Sequence, residues 1–164
     1  MRGSASAASL QGHAARLRIE AAHLESEMSG GAPEIPSPSL VHLNRAGPLL
    51  AAAWFALCGW GVSWPLEPSR FDLIVTRGDH VRKVQVKTTV TRAGSTWKAY
   101  LSTARKSRRT YVPGEIDDFF IVTGALDYYL IPLAEVGGLH AIHLHQYQGF
   151  RVQSLPAPKT EQLS

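Results

Sequence analysis

The chain has 164 residues, of which 45% are apolar, and it carries 17 Lys and Arg against 13 Asp and Glu for a net charge of +4. This length suits one domain with an added arm and excludes a two-domain enzyme with a complete cofactor-binding fold. The apolar content is sufficient for a packed core, which argues against disorder throughout. The single cysteine excludes an internal disulfide framework and a Cys-rich zinc site, and it favours a reducing, cytoplasmic location.

The beginning of the chain predicts an arm joined to the domain by a linker. Leu, Ala and Met recur at spacings of four and three from Leu10 to Met28, which is typical of a short helical seam, so residues 1–28 are expected to be helical or unfolded. Residues 29–42 are rich in Pro and Gly and predict a linker. The domain itself is expected over residues 43–156, followed by a tail over residues 157–164.

The uncharged stretch from Ala46 to Leu66 predicts a buried helix. Its length alone would allow a membrane span, but Gly59 and Pro65 interrupt it, so no membrane association is expected. We expect the helix to run from Pro48 to Cys58, with Pro48 in the first turn and Gly59 ending it. Cys58 is then expected to be a small core residue rather than a nucleophile.

Apolar, β-branched runs separated by turn residues predict six strands after this helix. They are Val62–Trp64, Phe71–Thr76, Val81–Thr88, Lys98–Thr103, Ile116–Thr123 and Tyr128–Pro132, with a short helix at Leu133–Val136. One helix ahead of a strand-rich segment predicts an α/β (α+β) core, in which a mixed β-sheet is flanked by helices.

The second and third predicted strands form a hairpin that gathers three polar residues. If Gly78 and Asp79 are a two-residue turn, Asp72 lies opposite Gln85, and Lys87 shares the face of Gln85. The register therefore places Asp72, Gln85 and Lys87 together at the end of the sheet. The opposite face, which is expected to pack on the helix, holds Phe71, Leu73, Val75, Val84 and Val86.

An acid, an amide oxygen and a lysine grouped in this way fit metal-assisted hydrolysis of a phosphodiester. Asp72, the side-chain oxygen of Gln85 and the carbonyl of Val86 are oxygen ligands suited to Mg²⁺, or to Mn²⁺. Lys87 would orient the attacking water or stabilise developing charge. The same spacing is also typical of an edge hairpin with an ordinary polar face, so the spacing alone leaves both interpretations open.

Basic residues are concentrated in one segment. Ten of the 17 Lys and Arg lie between Arg77 and Arg109 with a single acid, so this segment carries +9 and the remainder of the chain −5. Such a segment favours a nucleic-acid partner, although a solvated surface can have the same composition. Trp97 and Tyr111 are expected to be open for base stacking, and Tyr100 is expected to pack against the sheet. The residues expected to contact phosphates are Arg77, Arg82, Lys83, Arg92, Lys98, Arg105, Lys106, Arg108 and Arg109.

Six stretches carry a resemblance to a known family. They are the helix Ala46–Trp54, Cys58–Pro65, Phe71-Asp-Leu-Ile-Val75, Val84-Gln-Val-Lys-Thr-Thr89, Ile116-Asp-Asp-Phe-Phe-Ile-Val122 and Tyr129-Leu-Ile-Pro-Leu133. Their residues and order resemble the PD-(D/E)XK nuclease superfamily, in particular its group of intron-associated homing endonucleases. The resemblance implies a restriction-endonuclease-like core and Mg²⁺-dependent cleavage of double-stranded DNA by a homodimer or tetramer. It also implies an active site of Asp72, Gln85 and Lys87, with Gln85 in place of the usual acid.

One position departs from this family. Its members commonly carry a Glu after the glycine that begins the helix, and here Gly47 is followed by Pro48. Fewer carboxylates weaken the binding of Mg²⁺, and Glu67 in the next loop is the candidate additional acid. Two alternatives therefore stay open. The chain is an inactive or weakly active DNA-binding or assembly protein on the same fold, or it is a structure-specific nuclease resembling Holliday-junction resolvases.

Two further groups of polar residues are expected to serve the structure. Asp117 and Asp118 precede an apolar strand, where they would orient the sheet or a basic neighbour. His140, His143 and His145 place two histidines on one strand face without a third ligand nearby, so packing or surface roles are expected rather than a zinc site.

Overall fold

The computed structural model describes residues 35–102 and 108–154. The chain forms two units, Met1–Pro38 and Ser39–Ser164. The predicted arm, residues 29–34 of the predicted linker, the tail, and the basic residues Arg105 and Lys106 lie outside the described residues. Those predictions therefore stay predictions, and the fold below is that of the second unit.

The second unit contains one long helix, one short helix and nine short to medium strands among the described residues. Helix α1 (Leu43–Leu57) follows a 3₁₀ turn (Leu40–His42), and helix α2 is Leu133–Val136. A second 3₁₀ segment spans Leu144–Phe150. The strands are β1 (Gly61–Ser63), β2 (Leu73–Arg77), β3 (His80–Thr89), β4 (Arg92–Ala93), β5 (Thr96–Tyr100), β6 (Asp118–Thr123), β7 (Tyr128–Pro132), β8 (Ala141–His143) and β9 (Arg151–Val152).

Six strands form a mixed sheet in the order β1-β2-β3-β6-β7-β9. Strands β3 and β6 are parallel, and the other neighbours are antiparallel. A smaller antiparallel sheet has the order β4-β5-β8. The predicted mixed α+β core is therefore confirmed, whereas β4, β8 and β9, which have two or three residues each, had no counterpart in the prediction.

Two hydrophobic clusters lie on opposite faces of the main sheet. In the first, α1 contributes Leu43, Ala51, Ala52 and Phe55, which pack with alternate residues of β2, β3 and β6 such as Val84 and Phe120. In the second, residues of β5, β8 and α2 pack with Phe119, Ile121 and Ile131. Because side chains alternate along a strand, neighbouring residues of β6 supply opposite clusters, and all six of its residues are buried.

Helix α1 begins five residues earlier than predicted, at Leu43, so Pro48 lies inside it. The proline removes one helical hydrogen bond to the carbonyl of Asn44. Packing of Leu43 and Gly47 against the sheet compensates for that loss, since both residues are buried. A Cβ at Gly47 would lie 2.4 Å from Cγ2 of Thr88, which shows how closely this turn of the helix approaches β3.

The end of α1 follows the prediction, with one exception. Gly59 has φ +79°, its N–H donates to the carbonyl of Ala56, and the N–H of Trp60 donates to that of Phe55. This is a Schellman ending, and the Phe55 and Trp60 rings pack 6.2 Å apart across it. The prediction that Cys58 is a core residue is wrong, because the terminal position turns its side chain to solvent.

The register of the β2–β3 hairpin is the predicted one. Ile74 lies opposite Lys83 and Arg77 opposite His80, and Gly78 occupies the turn with φ +57°. Phe71 departs from the prediction: it precedes the start of β2 at Leu73 and packs on the second hydrophobic cluster instead of facing α1.

Candidate active site

The polar residues singled out in the sequence meet where β2 and β3 separate. Their last ladder pair is Leu73 with Val84, yet β3 continues to Thr89 beside β6. On the edge facing β2, the backbone groups of Val86 therefore have no ladder partner. Because buried backbone groups require hydrogen bonds, this edge needs side chains or a ligand to satisfy it.

The Asp72 side chain meets that requirement. The N–H of Val86 donates to Asp72 Oδ2 at 2.7 Å, and the N–H of Asp72 itself donates to the carbonyl of Val84 at 2.9 Å. Gln85 Nε2 donates both to Asp72 Oδ2 at 2.5 Å and to the carbonyl of Val86 at 3.1 Å. The predicted trio of Asp72, Gln85 and Val86 is thus brought together around one point.

The donor set at this point fits a hard divalent cation. The amide nitrogen of Gln85, the positive end of a dipole, lies between a carboxylate oxygen and a carbonyl oxygen. A half-turn of the amide would exchange Nε2 for Oε1 and give three oxygen ligands directed at the same place. Burial raises the pKa of Asp72 against the opposing effects of Val86, Lys87 and Gln85, so a cation would favour the ionised carboxylate. Within the described residues, no cluster of three or more His, Cys, Asp and Glu with the arrangement of a metal site occurs.

Lys87 lies beside this group on a half-buried part of β3. Its Nζ is 3.4 Å from the hydroxyl of Tyr111 and 5.3 Å from the centroid of that ring. Burial lowers the pKa of Lys87; Asp72 acts in the opposite direction, and Arg70 lowers it further. A lysine with a lowered pKa in a cleft is suited to stabilising or relaying charge at a reacting group.

Arg70 and Tyr111 are the members of this cluster whose place the sequence analysis missed. Tyr111 was expected to be open, but only 6% of it is exposed, so that prediction is wrong. The residue belongs to the second hydrophobic cluster, with its ring edge-on to Phe119. The Arg70 guanidinium carbon lies 4.2 Å from the centroid of the Tyr111 ring, and Arg70 Nη2 donates to Glu115 Oε2 at 3.2 Å. The one available signal was the position of Arg70 two residues before Asp72.

A cleft of about 430 Å³ opens onto Asp72, Gln85 and Lys87. The cleft is also lined by residues of α1, of β3 and at or just after the end of β5, namely Asn44, Pro48, Val86, Thr88, Tyr100 and Ser102. Pro48, at the position next to Gly47, thus lies at the cleft but offers no ligand. Tyr100, which was expected to pack, is 49% exposed at the rim, because β5 ends there. Glu67 is exposed on its loop and is not among the described residues that line the cleft.

The basic residues are divided between structural and open positions. Arg82 donates to both carboxylate oxygens of Asp118 at 2.5 and 2.6 Å, and Lys83 Nζ donates to the carbonyl of Gly114 at 2.5 Å. Arg109 pairs with Glu115. Among the described basic residues, Arg77, Arg92 and Arg108 are exposed, with Arg92 over the half-buried Trp97 ring, and the half-buried Lys98 lies over the exposed Tyr100 ring. Trp97 packs partly on the second hydrophobic cluster, so it is less open than expected.

The two acids expected to serve the structure bind a basic side chain and a backbone group, and of the histidines His140 and His145 are exposed. Asp118 is 2% exposed and binds Arg82, while Asp117 Oδ2 accepts the N–H of Lys83 at 2.7 Å. The rings of His143 and His145 are 6.2 Å apart, without a metal-type cluster around them in the described part of the chain. None of the described helices has both the length and the apolar character that a membrane crossing requires.

Comparison with known proteins agrees with this geometry. A family model described as PD-(D/E)XK endonuclease matches residues 49–151, a range that includes Asp72, Gln85 and Lys87. No curated protein matches the sequence. The solved structure of a bacterial homing endonuclease is similar to this chain with a TM-score of 0.55 at 19% identity, over 77% of this chain and 85% of that one. At this identity the similarity concerns the fold, which is the restriction-endonuclease-like core expected from the motifs. Because the family model spans more than half of the sequence, the chain belongs to the PD-(D/E)XK endonuclease family.

Proposed function

We propose that the protein is a divalent-metal-dependent endonuclease that hydrolyses phosphodiester bonds in double-stranded DNA. The observation that carries this proposal is the convergence of the Asp72 carboxylate, the Gln85 amide and the Val86 carbonyl on one point, with Lys87 beside them. In a chain of this family, these groups supply the oxygen ligands and the cationic side chain that phosphodiester hydrolysis needs.

Each side chain has a distinct part in the proposed reaction. Asp72, Gln85 and Val86 would hold Mg²⁺ or Mn²⁺, which polarises the scissile phosphate and lowers the pKa of a water molecule when bound. Lys87 carries its positive charge into the cleft and stabilises the charge that develops on the phosphate oxygens. Asp72 also fixes the Val86 backbone through the 2.7 Å hydrogen bond, which keeps the carbonyl of that residue directed at the site.

The basic residues supply binding rather than chemistry in this proposal. Arg77, Arg92, Lys98 and Arg108 are placed to contact phosphates, which carry most of the affinity for DNA but little sequence information. Arg82, Lys83 and Arg109 are engaged within the fold, so we assign them a smaller share of DNA binding. One such domain cuts one strand, and cleavage of both strands implies a homodimer or tetramer.

A nicking assay on supercoiled plasmid tests the proposal. Wild-type protein should convert the plasmid to open circles with Mg²⁺ or Mn²⁺ and not with EDTA. Asp72→Asn and Lys87→Ala should each reduce the rate about 100-fold or more, since each removes a group that acts at the reacting phosphate. Asp79→Asn, a change in the exposed hairpin turn, should cut at the wild-type rate. Absence of cleavage with every metal, for protein that still binds DNA, would refute the enzymatic role.

A second candidate is a DNA-binding protein on this fold that does not cut. The observation in its favour is the presence of Pro48 at the cleft, which leaves Asp72 as the one carboxylate among the described lining residues. This protein would bind duplex DNA with wild-type affinity after Lys87→Ala and show no metal-dependent nicking. Gel shifts with a four-way junction and a linear duplex of equal length separate a resolvase-like preference from both candidates.

DNA binding itself is tested by its dependence on salt. Several phosphate contacts should cost about a thousandfold in affinity between roughly 50 and 200 mM salt. An affinity that stays constant over this range would exclude nucleic acid as the partner in both candidate functions.

A further inference from the structure

Tyr111 contacts two cations near the cleft, one through its ring and one through its hydroxyl. Arg70 lies two residues before Asp72, and its guanidinium carbon is 4.2 Å from the ring centroid. Lys87 Nζ is 5.3 Å from the same centroid and 3.4 Å from the hydroxyl oxygen. One buried aromatic side chain thus contacts both the segment that carries Asp72 and the proposed catalytic lysine.

The ring itself is held in a fixed place. Tyr111 is 6% exposed and packs edge-on against Phe119, with the centroids 5.3 Å apart at 88°. Phe119 lies opposite Gln85 in the parallel β3–β6 ladder, so the ring rests on the strand next to the site. A buried ring with few accessible rotamers is a rigid support for the flexible side chain of a lysine.

Arg70 is held on this ring by a second set of contacts. Its Nη2 donates to Glu115 Oε2 at 3.2 Å and to the carbonyl of Thr110 at 3.1 Å. Its Nε is buried and has no hydrogen-bond partner among the described residues. Burying Nε without a partner costs free energy, and an arginine held by the ion pair alone would avoid this cost by keeping Nε in water. The fold therefore maintains the position of Arg70 stacked on Tyr111.

We infer that Tyr111 is a positioning residue of the proposed active site, whose hydroxyl holds the Lys87 ammonium group and whose ring, through Arg70, holds the approach to Asp72. This inference rests on the proposed function and adds a role that the trio of Asp72, Gln85 and Lys87 does not contain. A hydrogen bond to the hydroxyl of a fixed ring restricts a lysine whose four-carbon stem would otherwise sample several positions.

Paired substitutions at Tyr111 and Tyr129 test the inference. Tyr129 is a matched control, because it is 3% exposed in the same hydrophobic cluster, and its hydroxyl accepts a hydrogen bond from Gln148. Tyr111→Phe removes the hydroxyl that accepts from Lys87 and should lower plasmid-nicking kcat about fivefold or more with little change in KM. Tyr111→Leu also removes the ring beneath Arg70 and should lower kcat about tenfold or more.

Stability is measured in parallel. Tyr111→Leu and Tyr129→Leu should lower the melting temperature to a similar extent, but Tyr129→Leu should leave the turnover of the folded protein near the wild-type value. If the two leucine variants lose kcat equally when assayed well below their melting temperatures, the inference is overturned and Tyr111 is a packing residue alone. Tyr129→Phe, which also loses one hydroxyl hydrogen bond, should leave kcat near the wild-type value, and a loss in Tyr111→Phe alone is the result that a role in packing would not produce.

A spectroscopic readout separates this inference from the proposed function. The chain has five lysines, so the side-chain signals of ¹³C-labelled lysine are few, and Lys87→Arg assigns the one of interest. The ε-methylene signals of Lys87 should move in both Tyr111→Phe and Tyr111→Leu, whereas those of Lys83 should stay in place. Unchanged signals in Tyr111→Leu would overturn the inference even if the protein cuts DNA. Conversely, a protein that cuts nothing but shows these shifts retains the inferred contact while the proposed function fails.

Discussion

Replacing Arg82 with methionine removes the partner of a buried carboxylate, and we expect it to lower the free energy of unfolding. Asp118 lies on the central strand β6 with 3% of its side chain exposed, and it accepts hydrogen bonds from Arg82 Nε at 2.5 Å and Nη2 at 2.6 Å. Methionine retains most of the volume of the arginine stem, so the change removes the charge and the donors while disturbing the packing little.

The size of the effect follows from the exposure of the two partners. Removing one member of a fully buried ion pair costs about 3 to 5 kcal/mol, because the other charge stays desolvated and unpaired. The side chain of Arg82 is 43% exposed, so water can reach the carboxylate once the guanidinium group is gone. We therefore expect less than this range, about 2 to 3 kcal/mol, which moves the urea midpoint by about 1 to 2 M at a typical slope.

Urea unfolding of Arg82→Met is compared with that of Arg77→Met, an exposed arginine of the same hairpin, which should cost less than about 0.5 kcal/mol. The double variant Arg82→Met/Asp118→Asn should recover at least half of the loss, because the buried charge is removed as well. A loss of less than about 1 kcal/mol, or one equal to that of Arg77→Met, would refute the reasoning. In the folded state, Arg82→Met should leave the salt dependence of DNA affinity nearly unchanged, whereas Arg77→Met should reduce it.

Three further predictions concern the surroundings of the site. Gly47→Ala should lower the free energy of unfolding in urea by about 1 to 3 kcal/mol, since the new Cβ would lie 2.4 Å from Thr88 Cγ2. Adding Thr88→Ser should recover most of this loss. If Gly47→Ala is as stable as wild type, the helix shifts freely and the reasoning fails. Glu115→Gln should destabilise the protein at neutral pH. Desolvation acts to raise the pKa of Glu115, but Val112, Arg70 and Arg109 hold that pKa below its ordinary value. The stabilisation by the ionised carboxylate is therefore present above the ordinary pKa of about 4.3 and is lost as the pH falls through the lowered pKa of the folded protein. The difference between wild type and Glu115→Gln should therefore vanish in acid, and a difference independent of pH would contradict this. Pro48→Glu should bind Mn²⁺ about tenfold more tightly by calorimetry than Pro48→Gln, since a carboxylate at the cleft adds an anionic ligand; equal affinities would place position 48 outside the metal site.

The parts of the site that could be predicted from sequence are those set by strand alternation. Once Gly78 and Asp79 form the turn, the register of β2 with β3 places Gln85 and Lys87 on one face without further information. The end of α1 followed in the same way from a single glycine in the left-handed region. Both features depend on residues that are close in sequence, where local stereochemistry decides the outcome.

The parts that escaped prediction depend on contacts between residues far apart in the chain. Tyr111 contacts Arg70 and Lys87 across 41 and 24 positions, and nothing in its immediate neighbours, which include several basic residues, indicates burial. Tyr100 sits in a short strand whose alternation suggested packing, but the strand ends at the cleft rim and exposes it. Pro48 predicts a helix start in its own turn, but the packing of Leu43, which is distant in sequence from its partners in the sheet, makes α1 begin earlier.

The charge of the basic segment could be predicted from sequence, but the fold brings acids to this segment that offset part of its charge. Within the segment there is a single acid, Asp79, but three acids that follow it in the chain return to it in the fold. Asp118 pairs with Arg82, Glu115 pairs with Arg109, and Asp117 binds the backbone of Lys83. Among the described residues, the field available to a polyanion therefore comes mainly from the hairpin turn, from β4 and β5, and from Arg108, which are fewer residues than the count of ten implies.

The same long-range organisation bears on how the proposed site, with one carboxylate, could offer three oxygen ligands once the Gln85 amide is turned. Asp72 directly precedes β2, and because β2 begins at Leu73, the carbonyl of Val86 is left without a strand partner. That carbonyl is held by the parallel pairing of β3 with β6, so its position is fixed by the buried sheet rather than by a flexible side chain. A preorganised neutral oxygen loses little conformational entropy when it binds a cation, and this offsets part of the affinity that the missing helix carboxylate would have supplied. The separation of β2 from β3 thus creates both the need for side chains that satisfy the Val86 backbone and the place where the proposed cation would be held.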